Sequence, residues 1–472
     1  MSTTNAASAL DEFQARSKSD TVFIGHPRGL GWLSASEFWE RFSYYGMQTL
    51  LVLYLLHYLL LPGHIEQVWG FDAFRRLIGW LYGSQTPMAL SSNTAQLYAG
   101  LVYVTPLLGG FLADRVIGRT ATVTMGASLM VVGTFLLALN QTFLVGLLFL
   151  LAGVGCFKGN IASQVGDLYT IDDHRRADGF QIYFMGIQLA VIISPVICGY
   201  LSQRVEWHLG FVAAGVGMVL GLAIYLAGRR NFPPEPIMKK GHSQDRPPLT
   251  ARDRKVVLLL VALLPVLALS IIGNQEIFDA YLVWGERSFQ TVLWGFNMPI
   301  TWIVSMDAFV SAVTMVMVIS FWRWYGKRWK EPNEITKIVI GVVISTLGPL
   351  VLAGCAYVAT TTHHPVPLYW ALGFHILNDI GFANVLPVGL ALYSRAAPKG
   401  WGGTMIAVYY IHLFIGNTLL VGPLGGLLGT MPDTSFWLLH VGLMAVSAVL
   451  LFAASVFFGH LLAPTRADVA KA

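Results

Sequence analysis

From residue 34 onward the chain alternates long apolar runs with short polar turns. Runs long enough to cross ~30 Å of hydrocarbon at about 1.5 Å per residue recur twelve times. They lie near 34–60, 92–113, 120–140, 144–168, 178–202, 208–228, 256–284, 297–322, 336–358, 366–394, 402–428 and 434–462. The pattern predicts an all-α membrane protein with twelve transmembrane helices. The first 30 residues are polar and lack the short apolar core of a cleaved signal peptide, so the first run reads as a retained helix.

The longest polar interruption between apolar runs is RRNFPPEPIMKKGHSQDRPPLTARDRK, residues 229–255, rich in Pro and charge. It reads as a linker and divides the chain into a tail (1–30), a six-helix bundle (31–228), a second six-helix bundle (256–462) and a tail (463–472). Arg-x-x-Gly-basic recurs at Arg115–Arg119 and at Arg323–Lys327, in the same turn of each half, which points to an internal repeat. Residues 61–91 are long and partly apolar, and read as an amphipathic interfacial piece or an external cap.

Composition agrees with this class. The chain is 55% hydrophobic and 12% charged, against about 25% charged in soluble domains. The net charge of +5 reflects topology. With the amino terminus cytoplasmic, all but six of the 30 Lys and Arg fall on the inner side. Arg75, Arg76, Arg204 and Arg287 lie outside, and Arg41 and Lys158 lie within helices. This asymmetry predicts that both termini are cytoplasmic and that the protein is a multi-pass protein of the inner cell membrane. It leaves no nucleic-acid surface. Cys156, Cys198 and Cys355 all sit in apolar runs, against a disulfide framework. The sequence holds no phosphate-cradling loop, no metal-ligand spacing and no nucleophile with its base, so the reading is a non-enzyme without cofactor.

The charges inside the helices then demand a reason, because each costs several kcal/mol when stranded in hydrocarbon. Glu37, Glu40 and Arg41 lie within one and a half turns of the first helix and share a face. Lys158 is the matching oddity in the fourth. A static bridge between helices is the plain reading. Two carboxylates beside two cations can also redistribute protons. A carboxylate in an apolar cavity favours its protonated form, and a nearby cation opposes this. A substrate carboxylate drawn to Arg41 and Lys158 would free Glu40 or Glu37 to take a proton, which is the logic of a proton symporter. Asp114 with Arg115 and Arg119 reads as a cytoplasmic lock between helices, a gating role. His375 and His412, in apolar helices, read as satisfied core histidines.

The run Glu37-x-x-Glu40-Arg41-Phe42-x-Tyr44-Tyr45-Gly46 resembles the signature of the proton-dependent oligopeptide transporter family, a branch of the major facilitator superfamily. Phe157-Lys158-x-Asn160 with Gly166-Asp167-Leu168-Tyr169 is similar to its fourth-helix motif. Phe184-Met185-Gly186-Ile187 with Ser194-Pro195 resembles the fifth-helix motif. Trp294-Gly295-Phe296, Pro299-x-x-Trp302 and Pro387-Val388-Gly389-Leu390 resemble pieces of helices 8 and 10. The resemblance implies the major facilitator fold and proton-driven uptake of di- and tripeptides by alternating access. It assigns Arg41 and Lys158 to the peptide carboxylate and Glu37 and Glu40 to proton coupling, and places Tyr45 and Tyr103 at the pocket.

Departures cluster at the amine end. The family's second helix-1 Arg falls on Gln48, its helix-5 Asn on Gln188, its helix-8 Asn on Asp307 and its helix-10 Glu on Phe382. Its helix-7 Glu-Gln pair is matched loosely by Gln275 and Glu276, the latter a gating candidate, with Asp279 one turn on. Asp307 and Asp379 would replace the lost amine partners, keeping a zwitterionic substrate. Alternatively the ligand lacks an ordinary amine, and both serve His375 or Asn378. The runner-up functions are transport of a modified peptide or non-peptide organic anion, and a membrane receptor that moves nothing. The expected partners are a small molecule, protons and lipid, with the monomer as the working unit.

Overall fold

The computed structural model describes residues 3–170, 172–234, 249–293 and 295–462, with side chains from Leu10 onward. Trp294, the tail 463–472 and 235–248 of the linker lie outside the described residues. The first half runs α1 (Thr3–Ser19), α2 (Arg28–Tyr54), α3 (Phe71–Tyr82), α4 (Pro87–Leu101), α5 (Thr105–Leu112), α6 (Arg119–Leu137), α7 (Phe143–Asp167), α8 (Arg175–Tyr200) and α9 (Trp207–Gly228). The second runs α10 (Ala251–Ser270), α11 (Ile272–Gln275), α12 (Ala280–Ser288), α13 (Trp302–Gly326), α14 (Glu334–Thr362), α15 (Tyr369–Ala396), α16 (Gly402–Ile415), α17 (Gly422–Gly425) and α18 (Asp433–Leu462). One hairpin, Val292–Leu293 against Phe296–Asn297, is the only strand pair among the described residues.

Ten of these helical segments are long and apolar enough to cross a membrane, and an eleventh is if α10 and α11, bent by 51°, form one span. Helix α2 has spanning length but is more polar, because it carries Glu37, Glu40 and Arg41 among Ser, Tyr and Gln. Several spans are interrupted where the sequence reads as continuous. Wider π-type turns close α2 (Leu55–Leu59), α5 (Ala113–Ile117) and α8 (Leu201–Val205), and Gly416–Val421 separates α16 from α17. Such turns shift helix phase, and they cluster at functional positions.

The chain divides into two compact units, residues 1–77 with 104–242, and 78–103 with 243–472. The sequence division at 31–228 puts residues 78–103 in the first bundle; their contacts group them with the second unit. Within it, Ser92 of α4 donates to the carbonyl of Gly422 at 2.8 Å. Residues 1–30 hold more than a plain tail. Helix α1 docks on the first unit: Ser17 donates to the carbonyl of Leu168 (2.6 Å) and Gln14 to that of Asp167 (3.1 Å). Arg175 donates to the carbonyls of Asp20 and Gly25, both at 3.2 Å. Polar residues tied to backbone carbonyls leave no apolar periodicity for sequence reading to detect. The 61–91 segment contains amphipathic α3, with Leu77, Trp80 and Leu81 exposed.

Small residues set the helix spacing in the first unit. A Cβ on Gly109 of α5 would lie 2.0 Å from the carbonyl oxygen of Gly155 in α7. One on Gly126 of α6 would lie 2.7 Å from that of Gly153. Backbone, unlike a flexible side chain, cannot yield. Replacing Gly109 with Leu should therefore separate α5 from α7 and cost at least the ~1–3 kcal/mol typical of overpacking. Thermal unfolding in detergent should show a clear drop in Tm; an unchanged Tm would contradict the close approach.

Candidate functional site

Helix α2 places Glu37, Glu40 and Arg41 on one buried face, at 2%, 0% and 3% exposure. Glu37 stands four residues before Arg41, on the same face of the helix, and Glu40 is its immediate neighbour in the chain. Arg41 Nη2 donates to Glu40 Oε1 at 3.0 Å, and its Nε lies 2.5 Å from Glu40 Oε2 and 3.0 Å from Glu37 Oε1. Tyr45, one turn on, and Tyr183 of α8 lie within electrostatic range of Arg41, Glu37 and Glu40. Lys158 of α7, half-buried, lies within electrostatic range of Glu37, Glu40 and Arg41. The arrangement thus gathers two carboxyl groups, two cations and two phenols from three helices. Removing either cation would leave an under-compensated buried charge, worth about 3–5 kcal/mol.

At the end of α7 the charges are more exposed. Arg119 is ion-paired with Asp167 and lies 3.7 Å from Asp114, so it bridges α7 and the turn after α5. Arg115 is exposed, with its guanidinium 5.7 Å from the centre of the Phe111 ring. Asp167, part of the fourth-helix motif, is the second anchor of Arg119, a contact that only the fold creates.

In the second unit Asp307 of α13 and Asp379 of α15 come together around His375. His375 Nδ1 is 2.7 Å from Asp307 Oδ1, and its Nε2 is 3.1 Å from the hydroxyl of Tyr281. Asn378 donates to Asp379 Oδ1 at 3.2 Å. Ligand atoms of Asp307, His375 and Asp379 all lie within 4.8 Å of one another, close enough to share a proton or a cation. Packing of α13 against α15 brings Asp307 to His375 and Asp379 to Asn378, the contacts of the second alternative that the sequence left open. Phe382 is half-buried beside an apolar cluster that also borders Tyr103. Tyr103 stacks on Tyr410 with ring centres 6.4 Å apart. Gln188 is half-buried on α8.

Glu276 stands apart from that cluster. It is fully buried, 2.9 Å from Nε2 of His440 on α18. His412 is likewise buried, bonded through Nδ1 to the carbonyl of Tyr409. Tyr183, Tyr281 and His440 escaped the sequence reading. A lone polar residue in an apolar stretch such as SFWLLHVGL is the signal that marks His440.

The bridge at Arg119 generates a stability test. Its groups are about one-third to one-half exposed, so solvent screening holds the pair to about 0.2–1 kcal/mol. Arg119→Ala and Asp167→Ala should each lower Tm slightly, and the double change should cost less than their sum. Strict additivity would show that the two do not interact.

Comparison with known proteins supplies independent findings. A family model described as the POT family matches residues 120–246. The uncharacterized transporter YclF of Bacillus subtilis (strain 168) is 29% identical, over 91% of this chain and 94% of that protein. A di-/tripeptide transporter of Lactococcus lactis subsp. cremoris is 28% identical, over 84% and 89% of the two chains. A crystal structure of a peptide transporter, POT, in complex with sulfate shares the fold, with a TM-score of 0.83 over 96% of this chain and 99% of that one at 22% identity.

Proposed function

We propose that this chain, which resembles the POT family over residues 120–246 and is 28% identical to a di-/tripeptide transporter, is a member of that family and a proton-coupled symporter importing di- and tripeptides or peptide-like zwitterions. On this reading twelve spans run with both termini in the cytoplasm. The protein sits in the inner membrane and works as a monomer driven by the proton gradient. One observation supports it above the rest: two buried carboxylates share the single guanidinium of Arg41, within range of Lys158.

The chemistry follows from that sharing. Arg41 has a fixed set of donors, and Glu37 and Glu40 now use them. A substrate carboxylate binding Arg41 and Lys158 takes part of that set, in surroundings where charge is weakly screened. The glutamate left behind is stabilised by taking up a proton. Substrate and proton then favour each other's binding, as linkage requires. Tyr45 and Tyr183 steady the guanidinium and Glu37 during the exchange. The bridge of Arg119 to Asp114 and Asp167 gates the cytoplasmic end. Gln188, on the same unit as Arg41 and Lys158, is the residue proposed beside the substrate's body.

For the amine end, Asp307 and Asp379 are the acceptors in this reading. A second reading is a modified peptide or a non-peptide organic anion. It is favoured by one observation, that His375 already occupies Asp307. A receptor without transport is separated from both readings by accumulation against a gradient.

Expected outcomes are specific. Arg41→Ala and Lys158→Ala should abolish proton-driven uptake of labelled dialanine in proteoliposomes while the protein still elutes as a folded species. Glu40→Gln, which keeps a bond to Arg41, should lose concentrative uptake but retain counterflow exchange. Full concentration of dialanine by Glu40→Gln would remove Glu40 from the coupling role. Asp307→Asn should change the preference between free and N-acetylated peptides by about tenfold, the scale of one charge-assisted bond; an unchanged preference would favour the second reading.

A further inference from the structure

The cluster of Asp307, His375 and Asp379 holds more acid than its donors satisfy. His375 and Asp379 stand four residues apart on α15 and share a face, and α13 brings Asp307 to the same place. His375 is 0% exposed, Asp379 1% and Asp307 9%. His375 Nδ1 lies against Asp307 Oδ1, and Asn378 donates to Asp379 Oδ1. Asp379 Oδ2 is buried and meets no hydrogen-bond donor among the described residues. Neither carboxylate has a lysine or arginine among the described ion pairs, and the charge bearing on Asp379 is that of Asp307 itself. Two buried carboxylates in contact need a compensating positive charge.

We propose that Asp307, His375 and Asp379 form a binding site for one divalent transition-metal ion of the zinc type. The charges match: a 2+ ion beside two carboxylates and a neutral imidazole leaves none over. The donor set narrows the ion. Mixed nitrogen and oxygen ligands suit Zn2+, whereas Mg2+ and Ca2+ take oxygen and Cu+ takes sulfur. Geometry agrees as well. The three ligand atoms lie within 4.8 Å of one another. Around one ion, with bonds of about 2.0–2.2 Å, they would stand ~3.4 Å apart at tetrahedral angles. Side-chain rotation covers that change.

The neighbours orient these groups as metal ligands require. With the ion on Nδ1, the neutral ring carries its one hydrogen on Nε2. The Tyr281 hydroxyl oxygen, 3.1 Å away, then accepts it. Asn378 occupies Oδ1 of Asp379 at 3.2 Å and leaves the donorless Oδ2 for the ion. Ser345 donates to the Asn378 amide oxygen at 3.3 Å and fixes that amide. Three protein ligands leave a fourth position for water or a small ligand. The residual exposure of Asp307 marks the side from which the ion enters. The site goes beyond the function proposed above. An ion here and a substrate ammonium need the same two carboxylates, so each excludes the other.

The first test needs no transport. Purified full-length protein without an affinity tag is stripped with chelator, then titrated with Zn2+ by calorimetry and with Co2+ by visible absorption. One equivalent should bind, with the d–d bands of low-coordinate Co2+ and a rise in Tm. Asp379→Asn and His375→Gln should each weaken Zn2+ binding at least tenfold and erase the rise in Tm. Tyr281→Phe, which removes only the partner of Nε2, should weaken binding by about 10–100-fold while keeping the Co2+ bands. The exposed pair His363 and His364 is the adventitious alternative. Binding that survives both ligand changes but is lost on replacing His363 and His364 with Ala would overturn the proposal. So would wild-type protein that binds neither ion at submillimolar concentration. Either ligand variant serves if the other fails to fold. Zinc bound at this site in a protein that does not accumulate dialanine would support the site while rejecting the symporter reading. Accumulation of dialanine by a protein that binds no zinc would do the reverse.

Discussion

One guanidinium shared by two buried carboxylates is the constraint around which the first unit is organised. Glu37 and Glu40 can remain inside only because Arg41 sits between them, and Arg41 only because they flank it. That need makes α2 too polar to stand alone in lipid. It is enclosed by α8 and α9, and α7 brings Lys158 within range. The close approaches at Gly109, Gly126, Gly153 and Gly155 draw α5, α6 and α7 together where side chains would hold them apart. Packing therefore serves electrostatics here, bringing counter-charges near enough to matter.

The two units balance their buried acids differently. In the first, the cations Arg41 and Lys158 stand near the carboxylates. In the second, among the described residues, imidazoles stand beside two of the acids: His375 beside Asp307 and His440 beside Glu276. A guanidinium does not give up its proton, so Arg41 keeps its charge through any exchange among the acids or with a substrate.

Much of this was legible in the sequence, for physical reasons. Bilayer-length apolar runs announce helices, because the membrane imposes their length. The Glu37, Glu40 and Arg41 cluster was legible because helical spacing alone brings the three together. Contacts that depend on distant segments were not. Glu276 and His440, 164 positions apart, meet with no residue pattern to announce it, whereas Asp307 with His375 stood as one of two open alternatives. The docking of α1 was hidden because it is made through backbone carbonyls of residues 167–169, which accept from any donor. Breaks in the spans were missed as well, since hydropathy records how apolar a stretch is and not whether its hydrogen-bond ladder continues.

The central claim is that a proton gradient drives a carboxylate-bearing substrate across the membrane through the Arg41 site. The most direct test is labelled dialanine in proteoliposomes under an imposed inward proton gradient, with and without a protonophore. Dialanine should accumulate above its external concentration and leak back to equality when the protonophore is added. Equilibration without accumulation, in protein shown to be folded and correctly inserted, would contradict the account.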